Sequence, residues 1–305
     1  MSASAAQCRG LSGPAFPLQA ADSKLAVVNA QIMPRLNVKK LSVEALMASK
    51  QLSSGTRPTL HIITFSTQHE HSSAMLNCWH RWIHSMVAFD NSIRYEFHPM
   101  THDSNASGTG RHNDKAWLVA MHHKIYAIHD FLREIPPEAS NDAILYTDTD
   151  VVPLGSYSKL LSSDADIQFM EEPAGSRGLS EWKVNAGFFL FRPTRAVRGF
   201  VAHWRTRLKM NRKLHDQDLA NWLLLKHPST ANLSWSTFDS SLVTGMVSQV
   251  SAATVAYHAI GVTGEDKYAS IGRAIKRRDR KEGIGSPKYH HCLPMRDSGV
   301  DGFFV

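Results

Sequence analysis

Along the chain, short apolar runs rich in β-branched and aromatic residues alternate with stretches whose apolar positions recur every three or four residues. Residues 59–65 of "RPTLHIITFST" are the first such run, bounded by Pro58 and polar residues, and predict a buried strand. In "SSAMLNCWHRWIHSM", Met75, Leu76, Trp79, Ile83 and Met86 share one face of an amphipathic helix. "SIRYEFHPM" predicts a second strand and "THDSNASGTGRHND" a loop. The cleanest helix is "DKAWLVAMHHKIYAIHDFLREIPPE", striped by Trp117, Met121, Ile125, Ile128 and Leu132 and stopped by Pro136 and Pro137. The run 143–147 is apolar throughout, as a central parallel strand should be. "DADIQFMEEP" and "KVNAGFFLFRP" predict further strands. A helix follows from about Thr194, with Val197, Val201, Trp204 and Leu208 as its stripe. "LHDQDLANWLLLKHP" is a short helix ended by Pro228, and "ATVAYHAIG" is a last apolar stretch.

Strands alternating with helices predict an α/β fold around a mostly parallel sheet. Ligands of such sheets bind beyond the carboxyl ends of the strands. Residues 1–56 carry little pattern and predict a poorly ordered arm, 57–268 a catalytic domain, and 269–305 a basic tail.

Composition narrows the classes. The chain has 305 residues, 43% hydrophobic and 20% charged, as a globular protein with a real core has. No run nears the roughly 18 apolar residues of a membrane helix, and the N-terminus lacks a signal-peptide pattern. Net charge is +7, but residues 273–282 alone supply +4 of it. The basic character is therefore local, a solvated segment rather than a nucleic-acid surface. Cys8, Cys78 and Cys292 are too few and too scattered for a disulfide framework or a zinc site. The sequons at Asn105 and Asn232 are no more than chance supplies.

The chemistry concentrates in "AILYTDTDVVPLG". Asp148 and Asp150 follow a buried strand, and their side chains share a side if the backbone is still extended there. Two such carboxylates ionise together only with a cation between them or water around them. Mg²⁺ or Mn²⁺ suits oxygen ligands and is usually completed by substrate phosphates. The same stretch fits haloacid-dehalogenase-like phosphatases, with Asp148 as nucleophile. That motif usually opens its fold, however, and here two strands and two helices precede it.

Downstream, "VNAGFFLFRPTRAVRGFVAHW", "HDQDLANWLL" and "AYHAIGVTGEDK" follow the D-x-D in order. From about Pro58 to Lys267 the chain resembles the GT-A fold nucleotide-sugar glycosyltransferases. The retaining families, such as the plant and algal nucleotide-diphospho-sugar transferases and the glycogenin-like enzymes, are nearest in pattern. The resemblance implies a Rossmann-like three-layer sandwich that moves a sugar from a nucleotide-diphosphate-sugar to an acceptor hydroxyl, with Mn²⁺ or Mg²⁺. The acceptor could be a glycan, a protein or a small molecule. A non-catalytic sugar-nucleotide-binding domain is the remaining reading, and oligomeric state is left open.

By the same resemblance Asp148 and Asp150 hold the metal, Asp148 also meeting the donor ribose, and His258 is the third protein ligand. Asn185, Ala186 and Gly187 line the donor-sugar pocket, while Asp216 and Gln217 lie by the sugar and the reacting carbon. Lys124 reaches the diphosphate. Lys267 could do the same, although it stands six residues after Gly261 where the glycogenin-like pattern has three. Glu171 and Glu172 are candidate acceptor or sugar contacts. Relatives of this type are often anchored in the Golgi, so the resemblance implies the Golgi lumen, but no signal peptide or anchor is visible here and a cytoplasmic location is open as well.

Each residue has a plainer role available. Lys124 adjoins the helix stripe and could snorkel to water, Asp216 could serve a helix N-terminus, and Phe188, Phe189 and Phe191 read as core.

Overall fold

A computed structural model describes residues 58–67, 79, 92–102, 115–136, 142–173, 183–227, 230, 232–262 and 265–282. The predicted arm at 1–56, residues 283–305 and all of the helix predicted in 72–86 except Trp79 lie outside these.

A six-stranded sheet has the order β2-β1-β3-β6-β5-β7. Its strands are β1 (Thr59–Thr67), β2 (Arg94–His102), β3 (Ala143–Thr147), β5 (Ile167–Glu171), β6 (Val184–Phe191) and β7 (Trp235–Thr237). Only β6 runs against the others, antiparallel to both β3 and β5. Pro99 within β2 is tolerated because β2 is an edge strand, where a missing N–H breaks no inner ladder. A smaller sheet of β4 (Val151–Pro153), β8 (Val243–Thr244) and β9 (Ala256–His258) has the order β4-β9-β8.

The period-two alternation of the strands divides the core between the two faces of the large sheet. Ile63, Phe65, Ile144, Tyr146, Phe189 and Phe191 pack toward α1 (Lys115–Glu134), α2 (Arg195–Met210) and α3 (Asp216–Lys226). Leu60, Ile62, Leu145, Phe188 and Leu190 pack on the other face, with the small sheet and α4 (Glu265–Glu282). This is the predicted three-layer α/β architecture. Thr194 caps α2 by accepting from Val197 N, and the predicted stripe Val197, Val201, Trp204 and Leu208 is buried as expected.

The C-terminal boundary is corrected. Residues 269–282 are not a tail, because α4 starts at Glu265 and Tyr268, Ile271, Ala274 and Ile275 are buried in the core. The basic side chains occupy the rest of the helix surface. Among the described residues, no helix is long and apolar enough to cross a membrane.

Candidate active site

The buried run 143–147 delivers Asp148 and Asp150 to the carboxyl edge of the large sheet. The backbone is not extended through both: a turn forms at 149–150, and Val151 N donates to Asp148 O at 3.3 Å. The carboxylates converge all the same, because the chain enters β4 next and β4 pairs antiparallel with β9. That register sets Val151 opposite His258. His258 Nε2 lies 3.2 Å from Asp150 Oδ1 and 4.0 Å from Asp148 Oδ2. One ligand atom from each of the three residues falls within a 4.8 Å cluster.

Gly187 makes this convergence possible. It sits beside Asp148, whose N–H donates to Gly187 O at 2.8 Å. A Cβ at 187 would run into the His258 ring, stand 2.7 Å from Asp148 Oδ2 and 3.0 Å from Asn185 Oδ1. The glycine expected for close approach to a sugar is thus demanded by the packing of the site itself.

Two lysines flank the carboxylates. Lys267 bonds Asp150 Oδ2. Its late position in the sequence is absorbed by the turn at Gly261, which has φ +72°, and by the start of α4. Lys124 does not snorkel. Its side chain is 2% exposed, and Nζ lies 2.5 Å from Asp216 Oδ2, 3.9 Å from Asp148 Oδ1 and 3.0 Å from Ala186 O.

The charges are ordered by these neighbours. Burial, with a further push from Asp150, holds the Asp148 carboxyl above the usual carboxylate range despite Lys124. Burial would also raise Asp150, but Lys267 and His258 prevail and hold it well below that range. Burial disfavours both ammonium groups, yet Asp216 and Asp148 hold Lys124, and Asp150 holds Lys267, above the ordinary lysine value.

Asp216 and Gln217 occupy the first turn of α3, where acidic groups are favoured. The Asp216 carbonyl accepts from Trp204 Nε1 at 2.9 Å. Gln217 Oε1 accepts from Ala186 N at 3.2 Å, and its Nε2 donates to Glu172 Oε2 at 3.0 Å. Asn185 Nδ2 donates to the same Glu172 oxygen at 2.7 Å, while Asn185 Oδ1 accepts from Gly187 N at 2.8 Å. Glu172 is therefore a buried hub tying β5 to β6 and α3, whereas Glu171 is exposed. Tyr146, read in the sequence only as core, donates to Asp148 Oδ1 at 2.6 Å. Asn221, missed altogether, fixes the entry of β6 by accepting from Lys183 N and Val184 N and donating to Val184 O. Its place one helical turn after Gln217 was the available signal.

Of the twelve candidate residues named in the sequence, all but the exposed Glu171 fall in one connected group at the sheet edge. In α/β sheets, ligands bind at the carboxyl ends of the strands, where this group lies. Residues 72–269 match the nucleotide-diphospho-sugar transferases, and the chain belongs to that family. It is accordingly an enzyme of the glycosyltransferase class, for which a sugar-nucleotide donor and an acceptor are the fitting partners.

Searching curated protein sequences returned no match. In shape, the chain is similar to a glycosyltransferase involved in glycosylation of the major capsid of PBCV-1, at 11% identity, 72% of this chain, 98% of that one and TM-score 0.47. It is similar to the galactosyltransferase LgtC at 16% identity, 70% and 95% coverage and TM-score 0.46. Mouse xyloside xylosyltransferase 1 shares 14% identity over 66% of this chain and 97% of its own, with TM-score 0.40.

Proposed function

We propose that the protein transfers a sugar from a nucleotide-diphosphate-sugar to an acceptor hydroxyl, with retention and with a divalent metal at Asp148, Asp150 and His258. The observation that carries this reading is the convergence of those three side chains within 4.8 Å, beside Lys267 and Lys124. Two carboxylates and one imidazole fit Mn²⁺, and Mg²⁺ less well because it prefers oxygen. The space left by the absent Gly187 Cβ lets the three side chains close together. Bound there, the metal would offset negative charge on the diphosphate leaving group.

The protein's own groups divide the remaining work. Lys267 stands at the rim with 32% of its side chain exposed, where it can turn from Asp150 to a phosphate oxygen. Lys124 is locked inside and acts through Asp216 and Asp148, orienting both carboxylates. Asn185, Ala186, Gly187 and Gln217 form the amide-lined floor against which the sugar is held. Asp216 faces the reacting carbon, where a carboxylate oxygen favours oxocarbenium character.

Retention is supported by how the acids are engaged. The Asp216 carboxylate is paired with Lys124, and Glu172 accepts from Asn185 and Gln217. Both carboxylates are thus occupied by partners within the protein, which supports a role in holding the donor rather than in deprotonating an acceptor. Family membership does not favour the phosphatase reading of Asp148, nor a domain that only binds.

The test is nucleotide release from a panel of UDP- and GDP-sugars with Mn²⁺, with and without EDTA, and anomeric analysis of any product. Donor cleavage that EDTA stops is the expected result. Turnover indifferent to EDTA would remove the metal from the reading, and an inverted product would remove retention.

A further inference from the structure

Away from the active-site edge, the first two strands carry a second cluster of metal-ligating groups. The parallel register of β1 and β2 sets His61 opposite Glu96, and Ile63 opposite His98. Alternation along each strand puts His61, Glu96 and His98 on one face of the sheet. Phe131 of α1 covers them, its ring centroid 4.5 Å from His98 and 5.9 Å from His61. His61 Nδ1 lies 3.2 Å from His98 Nε2 and 3.2 Å from Glu96 Oε2, and His98 Nε2 lies 4.0 Å from Glu96 Oε2. All three ligand atoms fall within 4.8 Å.

We propose that His61, Glu96 and His98 form a second metal site, selective for a zinc-class transition metal and distinct from the site at Asp148, Asp150 and His258. Three features of the surroundings favour a ligand set over an ordinary ion pair. Asp142 Oδ2 stands 3.5 Å from His61 Nε2, and its other oxygen accepts from Thr59 N at 3.3 Å. An anchored carboxylate behind the ring can accept the Nε2 proton when Nδ1 gives its lone pair to a metal. Arg94 takes Glu96 Oε1 at 2.7 Å and leaves Oε2 directed at His61. Glu96 keeps 32% of its side chain exposed, so solvent can reach the cluster and complete a four-coordinate shell.

The donor types separate the two sites. Two imidazoles with one carboxylate select Zn²⁺, Co²⁺ or Ni²⁺, whereas two carboxylates with one imidazole suit Mn²⁺. Metal at His61 and His98 would clamp the edge strand β2 to β1, far along the chain from the reacting groups. It would stabilise the fold by mass action without entering the reaction.

The chain has 17 histidines, so stoichiometry alone cannot identify the site. The experiment titrates the full-length protein with Zn²⁺ by calorimetry and with Co²⁺ by visible absorption, following Tm in parallel. Asp150→Asn disables the other site and should leave one Zn²⁺ equivalent bound, with Tm rising on addition. Combining it with His98→Ala should abolish that equivalent and the Tm rise. Asp142→Asn should weaken Zn²⁺ by about 10- to 100-fold. His98→Ala alone should leave Mn²⁺-dependent turnover unchanged. Glu96→Gln, at a partly exposed position, replaces His98→Ala if that variant fails to fold. The proposal is overturned if the Asp150→Asn protein binds no Zn²⁺. It is equally overturned if His98→Ala or Glu96→Gln leaves Zn²⁺ affinity unaltered, since surface histidines would then hold the metal.

Discussion

The Lys124 ammonium lies 2.5 Å from the Asp216 carboxylate with 2% and 4% of the two side chains exposed, so α1 and α3 are joined by an ion pair almost out of reach of water. Removing one member leaves the other charged and buried, which costs about 3–5 kcal/mol. Lys124→Met should therefore lower stability by that order. Lys124→Met combined with Asp216→Leu should recover much of the loss. A double-mutant cycle by urea denaturation measures the coupling.

The same pair fixes a pH dependence. The Lys124 ammonium is held above its ordinary value, so its stabilisation is complete below that value and is lost as pH rises through the folded one. The stability gap between the parent and Lys124→Met should be flat from pH 6 to 9 and shrink only in alkali. A gap that closed toward neutral pH would mean the lysine is not held charged.

Gly187→Ala should disable the site while sparing most of the fold. Its new methyl group meets the His258 ring and Asp148, and such overpacking costs about 1–3 kcal/mol. Mn²⁺ affinity and donor cleavage should fall by about 100-fold or more, because a displaced donor weakens a preorganised electrostatic site. Circular dichroism and calorimetric Mn²⁺ titration separate the two effects.

Glu172→Ala deprives both Asn185 and Gln217 of their shared acceptor. Hydrogen bonds to a charged group are worth about 1.5–3 kcal/mol each. On the proposed reading, the variant should lose stability on that scale and lower kcat by about 10-fold or more, with a smaller change in KM, since Asn185 and Gln217 lose their aim rather than their identity.

Ile271→Ala tests whether α4 belongs to the catalytic body. Ile271 is fully buried, and truncating such a side chain costs about 2–5 kcal/mol. Thermal unfolding should drop accordingly, and donor cleavage should weaken at temperatures near the new Tm, because the helix carries Lys267.

Much of this was readable in the residues. Apolar runs and helical stripes give the strands and helices of the large sheet, since local period and burial agree there. The direction of β6 is not readable. "NAGFF" is apolar whichever way it runs, and its antiparallel course is decided by what lies beside it. Strands β7 and β8, three and two residues long, offer no period to detect. Charge counted over 273–282 describes a solvated segment. The same helix read for period shows Tyr268, Ile271, Ala274 and Ile275 on one face, a narrow stripe flanked by long basic side chains. At the site, the motifs name side chains that come together in the fold but not their pairing. Nothing local announces that Lys124 turns to Asp216, that Tyr146 donates to Asp148, or that Glu172 gathers two amides.

The bond from Lys267 to Asp150 spans 117 positions of the chain. Closing a loop of that size carries an entropic cost that nearby contacts do not share, and contacts of such range form slowly. A growing chain that has emerged only as far as β6 already holds both aspartates, yet lacks the histidine and lysine that complete their charge. The two aspartates therefore gain their full set of partners only when β9 and α4 dock, so the cluster at the sheet edge and the long-range fold form together.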